Sequence, residues 1–243
     1  MRFVPLRPLL IGSMGVLFAL AALAACARAP RQKVATSAPT VETIGESRPP
    51  KREAIAARCH ALCALAPDYA GSDVPAPPFE FTVPPGVAGV GVSFEKLRGQ
   101  VIVLHFWSTV AAAAVVPELP ELAKLVSNLR TLPGVVLVSV ASDDHPDNAQ
   151  RLVFAVLGDA AAKSYPLSLD VGAKVAGTYG TTRFPETWII DRSGILRARF
   201  DGRRAWGNAE VLAFLDHVRA DEFCPVEINQ GMTSGPGDEY CTR

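Results

Sequence analysis

The 243-residue sequence has no net charge, no basic stripe and no internal repeat, and between Cys63 and Cys224 it has no cysteine. Lysines and arginines number 24 and the acids 24, so there is no electrostatic footprint for a nucleic acid, and none is expected as a partner. A recognisable set of nucleophile, base and acid is also missing. His105 sits inside an apolar strand and is expected to be a core histidine with a local hydrogen bond. Asp143, Asp144, His145 and Asp147 crowd a strand-to-helix loop and read as a solvated turn with an N-cap rather than a metal site. Neither a cofactor nor a metal is expected.

The N-terminus is informative. Arg2 and Arg7 precede an apolar run from Leu9 to Ala25, the layout of an export signal. The run ends in Leu23, Ala24, Ala25, Cys26, which resembles the bacterial lipobox, where the signal is cut before a cysteine that then carries lipid. The competing reading is an uncleaved anchor of about 17 apolar residues, at the short end of what spans a bilayer. Small residues before Cys26 favour the lipoprotein. The resemblance puts the mature chain in the bacterial cell envelope, facing the periplasm and held to a membrane by its lipid. Ala27 after the cysteine points to the outer membrane.

The expected organisation is a signal at 1–25, a flexible Pro/Ser/Thr-rich tether at 26–50, and a helix with its linker at 51–74. An α/β domain at 75–220 and an irregular cysteine-containing tail at 221–243 follow. Apolar residues at Ile55, Cys59, Leu62, Cys63 and Ala66 mark one face of a helix over 51–66. In the main domain, strands are expected at 79–83, 90–93, 101–107 and 135–141, and helices at 117–129, 148–157, 171–179 and 208–219. A hairpin joins 186–191 to 195–200 through Arg192, Ser193 and Gly194.

This order resembles the thioredoxin-like proteins of the TlpA and ResA type, often grouped with the AhpC/TSA redoxins. The resemblance rests on LRGQVIVLHFWST before a helix, PELPEL within that helix, and YGTTRFPETWIIDRSGILRARFDG. It implies a thioredoxin-like fold, a central mixed sheet with helices on both faces. It makes Pro185 a cis-proline, and it makes Trp107, Phe184 and Pro185 the flanks of a groove that takes an extended polypeptide or partner protein; packing of Trp107 and Phe184 into the core is the competing reading. Active members carry CxxC in the loop after the tryptophan. Here one alignment puts those cysteines at Ala111 and Ala114, another at Ala112 and Val115, and Ala113 lies between. No thiol exists there to ionise. Peroxidase members need a cysteine three residues after a threonine, and Thr109 is followed by Val110, Ala111 and Ala112. The segment reads as a vestigial active-site loop in a degenerate redoxin without catalytic residues.

Four cysteines remain besides Cys26. Cys59 and Cys63 are spaced i, i+4, which leaves their Cβ atoms about 5 to 6 Å apart on a helix, beyond the roughly 3.5 to 4.5 Å a disulfide wants. Pairing of this helix with Cys224 and Cys241 in the tail is expected, with Cys224 to Cys241 as the competing local bond. Two other functions stay open: a thiol-disulfide oxidoreductase using Cys59 and Cys63, and a copper-handling protein using the same thiols with His60 and Met232.

Overall fold

The computed structural model describes residues 52–84 and 91–241. The expected signal 1–25, the tether 26–50 with Cys26, residue 51 of the first helix and residue 90 of the second expected strand lie outside the described residues. The described residues belong to one compact unit. In chain order they form α1 (Arg52–Cys63), β1 (Tyr69–Ala70), β2 (Glu80–Phe81), β3 (Val92–Ser93), β4 (Val101–Trp107), α2 (Ala112–Asn128), β5 (Val135–Ala141) and α3 (Pro146–Ser164). Then come β6 (Leu167–Leu169), α4 (Lys174–Thr178), β7 (Glu186–Ile190), β8 (Leu196–Asp201), α5 (Ala209–Arg219), β9 (Glu227–Asn229) and β10 (Met232–Ser234).

Eight strands make one mixed sheet in the order β10-β9-β1-β8-β7-β4-β5-β6, and β2 pairs with β3 apart from it. The β4–β5 and β5–β6 pairs are parallel. From β4 through β7, β8, β1 and β9 to β10, every pair is antiparallel. β4 lies among the inner strands, and all seven of its residues are buried. This is why it reads as a continuous apolar run rather than an alternating one. Its two faces feed two cores. Val101, Val103 and Trp107 join Leu62 of α1, Leu119 and Leu122 of α2, Val153 of α3 and Leu215 of α5. Ile102, Leu104 and Phe106 join Phe79, Phe81, Phe94 and Ala176 of α4. Helices thus cover both faces, heavily on one and through the short α4 on the other.

The structure departs from expectation where local signals are weakest. α2 starts at Ala112 rather than 117, because the alanine run is itself a strong helix former. Pro117 and Pro120 lie inside it and each removes a backbone donor. Burial of Val115, Leu119, Leu122 and Leu125 along one stripe holds the helix together. α3 runs on past 157 to Ser164, broken at Gly158 with φ 73° and ψ 162°. α4 is shorter than 171–179, since Gly172 and Ala173 have positive φ and Asp170 accepts from the backbone N–H of Val175 and Ala176. The tail 221–243 is not irregular throughout. β9 docks on β1 and β10 on β9, three-residue strands too short to show a period and formed because a sheet edge is there to receive them.

Candidate functional site

The register that sets Phe106 of β4 opposite Glu186 of β7 brings the chain leaving β4 beside the chain entering β7. On one side stands the loop after Trp107, on the other Phe184 and Pro185, whose peptide bond is cis. The loop makes a single 3-10 turn at Thr109–Ala111 and passes into α2. Val110 at its tip is 88% exposed. Ala111, Ala112 and Ala114 are half-buried and Ala113 is exposed. Val115 faces the core. In either alignment the residues set against the CxxC positions have only apolar side chains.

The donors at this helical start are engaged by protein. Asp143, 6% exposed, accepts from Ser108 Oγ at 3.0 Å and from the Thr109 backbone N–H at 2.9 Å, and it also accepts from the Thr109 hydroxyl. A carboxylate therefore sits where the positive end of the helix would otherwise favour another anion. Asp143 is not part of a solvated turn, as the sequence suggested. It is the clamp of the loop, drawn in because its three donors lie across the end of β4. His145 occupies the N-cap position of α3 without a side-chain capping bond.

Trp107 needs a correction as groove surface. It is fully buried, and its indole N–H donates to Ser139 Oγ at 2.9 Å, which in turn contacts the Tyr165 hydroxyl at 2.7 Å. Its even spacing with Val103 and His105 along β4 puts it on the helix-covered face, away from solvent. Phe184 is half-buried against the second core, and Pro185 is buried, with its carbonyl accepting from Gly202 N–H at 2.8 Å. The apolar surface that the two loops offer here is therefore Val110, Ala113 and part of Phe184, with Thr182 and Arg183 exposed just before the phenylalanine.

Beneath the loop lies a pair that the sequence reading passed over. Glu118 of α2 is fully buried. Its Oε1 accepts from the Trp206 indole N–H at 2.8 Å and the Arg204 backbone N–H at 3.0 Å. Its Oε2 stands 3.8 Å from His105 Nε2, and neither atom has a hydrogen-bond partner. Burial pushes the Glu118 carboxyl up to about 7 and the His105 imidazolium down to about 3. Near neutrality His105 is thus the uncharged ring. Its Nδ1 shares a hydrogen bond with Thr187 Oγ1 at 2.8 Å, and its Nε2 faces Glu118 Oε2. The core histidine with a local bond is present, but it faces a carboxyl. The signal was in the sequence: a glutamate between Val115 and Leu119 on the apolar stripe of α2. A second buried carboxyl follows the cis-proline. Glu186 Oε1 accepts from Trp188 Nε1 at 2.8 Å and from Thr181 Oγ1, and burial raises its pKa.

The four cysteines meet away from this site, on the side of the sheet's other edge. Cys59 pairs with Cys224 and Cys63 with Cys241, with Cα atoms 4.7 and 5.2 Å apart. Both bonds tie α1 to the tail. A Cys59/Cys63 dithiol is therefore not what the structure contains, because each sulfur has a different partner. The copper set loses its thiolates for the same reason. His60 packs edge-on against Tyr240 at 5.8 Å, and Met232 stands 70% exposed in β10.

The AhpC/TSA family matches residues 73–199. Among curated proteins the chain is similar to the thiol-disulfide oxidoreductase ResA of Halalkalibacterium halodurans, with 27% identity over 106 residues, 44% of this chain and 56% of that protein. It is 25% identical to ResA of Bacillus thuringiensis over 106 residues, 44% of this chain and 57% of that one. The chain thus spans little more than half the length of the curated relatives it matches. Among solved structures it is similar to StoA of Bacillus subtilis, with 18% identity and a TM-score of 0.47 over 59% of this chain and 98% of that chain.

Proposed function

The chain belongs to the AhpC/TSA family, has a thioredoxin-like fold, and on that premise we propose that it is an exported, lipid-anchored redoxin whose loop binds and does not turn over. The observation that carries this reading is the loop itself. The helical start and the cis-proline are in place, while Ala112 and Val115, or Ala111 and Ala114, stand where a thiolate would attack. No side chain from Val110 to Val115 can serve as a nucleophile. What the loop still offers is apolar contact area at Val110, and beside it the exposed part of Phe184. The ligand is an extended polypeptide or partner protein in the extracytoplasmic redox or protein-folding setting, met by a protein held to the membrane through Cys26. That the relatives are named thiol-disulfide oxidoreductases supports the setting, and fold alone does not carry their activity here.

A photo-crosslinking residue at Val110 tests the reading. A defined partner should be captured by the wild-type surface and lost with Phe184→Ala, while the urea midpoint moves little, since Phe184 is only half-buried. Capture that survives the substitution, or loss that merely follows unfolding, removes Phe184 from recognition and the groove with it.

A further inference from the structure

The two disulfides have unlike surroundings. Cys59 is fully buried and Cys224 half-buried, and Gly237 lies directly over their bond. A Cβ at Gly237 would stand 2.7 Å from Cys224 Sγ and 2.9 Å from Cys59 Sγ, so the glycine permits the tail to close over that pair. Cys63 and Cys241 are both partly exposed and form a wall of an open cavity of about 250 Å³, shared with Ala66, Pro67, Ile228 and Thr233. The cavity borders β10, the outermost strand of the sheet, and all three residues of β10 are exposed. The edge of such a strand is a template for another extended chain.

We propose that Cys63–Cys241 is a thiol-disulfide exchange site for a cysteine-bearing polypeptide that lies along β10, and that Cys59–Cys224 is the structural bond that keeps the fold closed while exchange proceeds. The incoming thiolate attacks Cys63 Sγ. The Cys63–Cys241 bond breaks, a bond forms between the substrate sulfur and Cys63, and Cys241 leaves as the thiolate. Cys63 is the last residue of the 12-residue α1, whose negative end disfavours a thiolate more than the single 3-10 turn Asp238–Tyr240 that Cys241 follows, so Cys241 is the better leaving group. A second thiol in the polypeptide then displaces Cys63, so that the substrate ends oxidised by two electrons and Cys63 and Cys241 end as the two thiols, carrying the two protons. One disulfide is consumed and one made, with no other oxidant. Cys241 has room to withdraw because six residues separate it from Ser234 at the end of β10, and the Arg52 contacts to Glu239 and Tyr240 that also hold this end are exposed.

Native protein challenged with a single-cysteine extended heptapeptide, quenched by acid and mapped by mass spectrometry, tests this. The peptide should be found on Cys63 with Cys241 free and Cys59–Cys224 intact. Cys63–Cys241 should open at least about tenfold faster than Cys59–Cys224, whose buried Cys59 sulfur is reached only when the tail at Gly237 lifts away. The same peptide N-methylated at alternate residues, unable to pair with β10, and reduced glutathione at equal thiolate should both react several-fold more slowly. Adducts first on Cys59 or Cys224, or none until urea is added, overturn the exchange site. Equal rates for all three thiols overturn the polypeptide as its substrate.

Discussion

Replacing Glu118 by glutamine should make the protein more stable at alkaline pH and leave it nearly unchanged in acid. In the folded chain the carboxyl is buried with Oε1 satisfied by Arg204 and Trp206, and Oε2 directed at His105. Its pKa rises from 4.5 to about 7. A group whose folded pKa is raised contributes stability that is complete below its unfolded pKa and is lost as pH climbs through the folded value. The loss therefore falls between about pH 4.5 and 7, and the shift converts to about 3 kcal/mol. Glutamine keeps an oxygen for Arg204 and Trp206 and turns an N–H toward His105 Nε2, so it keeps the hydrogen bonds and cannot ionise. His105 moves the other way. With a folded pKa near 3, its contribution is present above about 6.5 and is lost as pH falls toward 3, in wild type and variant alike. Arg203, Arg204 and Tyr165 also face this carboxyl, and none changes charge in the window. Urea unfolding with disulfides intact, from pH 4 to pH 9, should show the difference between variant and wild type widening by about 3 kcal/mol. Parallel curves across that range would refute the buried neutral carboxyl.

Other outcomes follow from the same structure. Ala112→Cys with Val115→Cys should give a chain that reduces insulin faster than wild type under dithiothreitol, and adding Asp143→Asn should lower the pKa of the introduced thiol by removing the carboxylate at the helical start, read as thiolate absorbance against pH. Cys63→Ser with Cys241→Ser should cost about 3 kcal/mol in urea unfolding rather than the roughly 5 of an isolated long loop, because with Cys59–Cys224 closed the second bond closes a path of only about 21 residues. In a bacterial host a palmitate analogue should label wild type and not Cys26→Ser; equal labelling of both, or of neither, removes the lipid anchor.

Much of the domain was legible because its strands are bounded by charge and turn residues. β4 and β5 are seven-residue strands, apolar but for His105 and Ser139, and the hairpin around Gly194 has the glycine at φ 84° that its turn requires. The cis-proline came from the resemblance of its surrounding stretch, since nothing in one X-Pro pair distinguishes it. What stayed hidden was long-range. β1, β9 and β10 have two or three residues each and exist through sheet pairing alone. Asp143 looks like any loop acid until the register of β4 and β5 brings it under Thr109. Trp107 had two readings, groove flank from its place in a motif and core packing, and its burial beside Val103 on one face of β4 decides for the core. Glu118 shows how a polar residue on an apolar stripe signals a buried site, because an unpaired carboxyl there costs more than helix propensity returns.

The central claim, that thiol chemistry has left the loop while its scaffold stays, is tested most directly by dithiothreitol-coupled insulin reduction with the mature chain and with its Cys63→Ser/Cys241→Ser variant. The account predicts that the variant shows no turnover above the dithiothreitol background, since no cysteine remains outside the Cys59–Cys224 bond and Cys26, the proposed lipid attachment site. Turnover in that variant comparable to a thioredoxin control would contradict it.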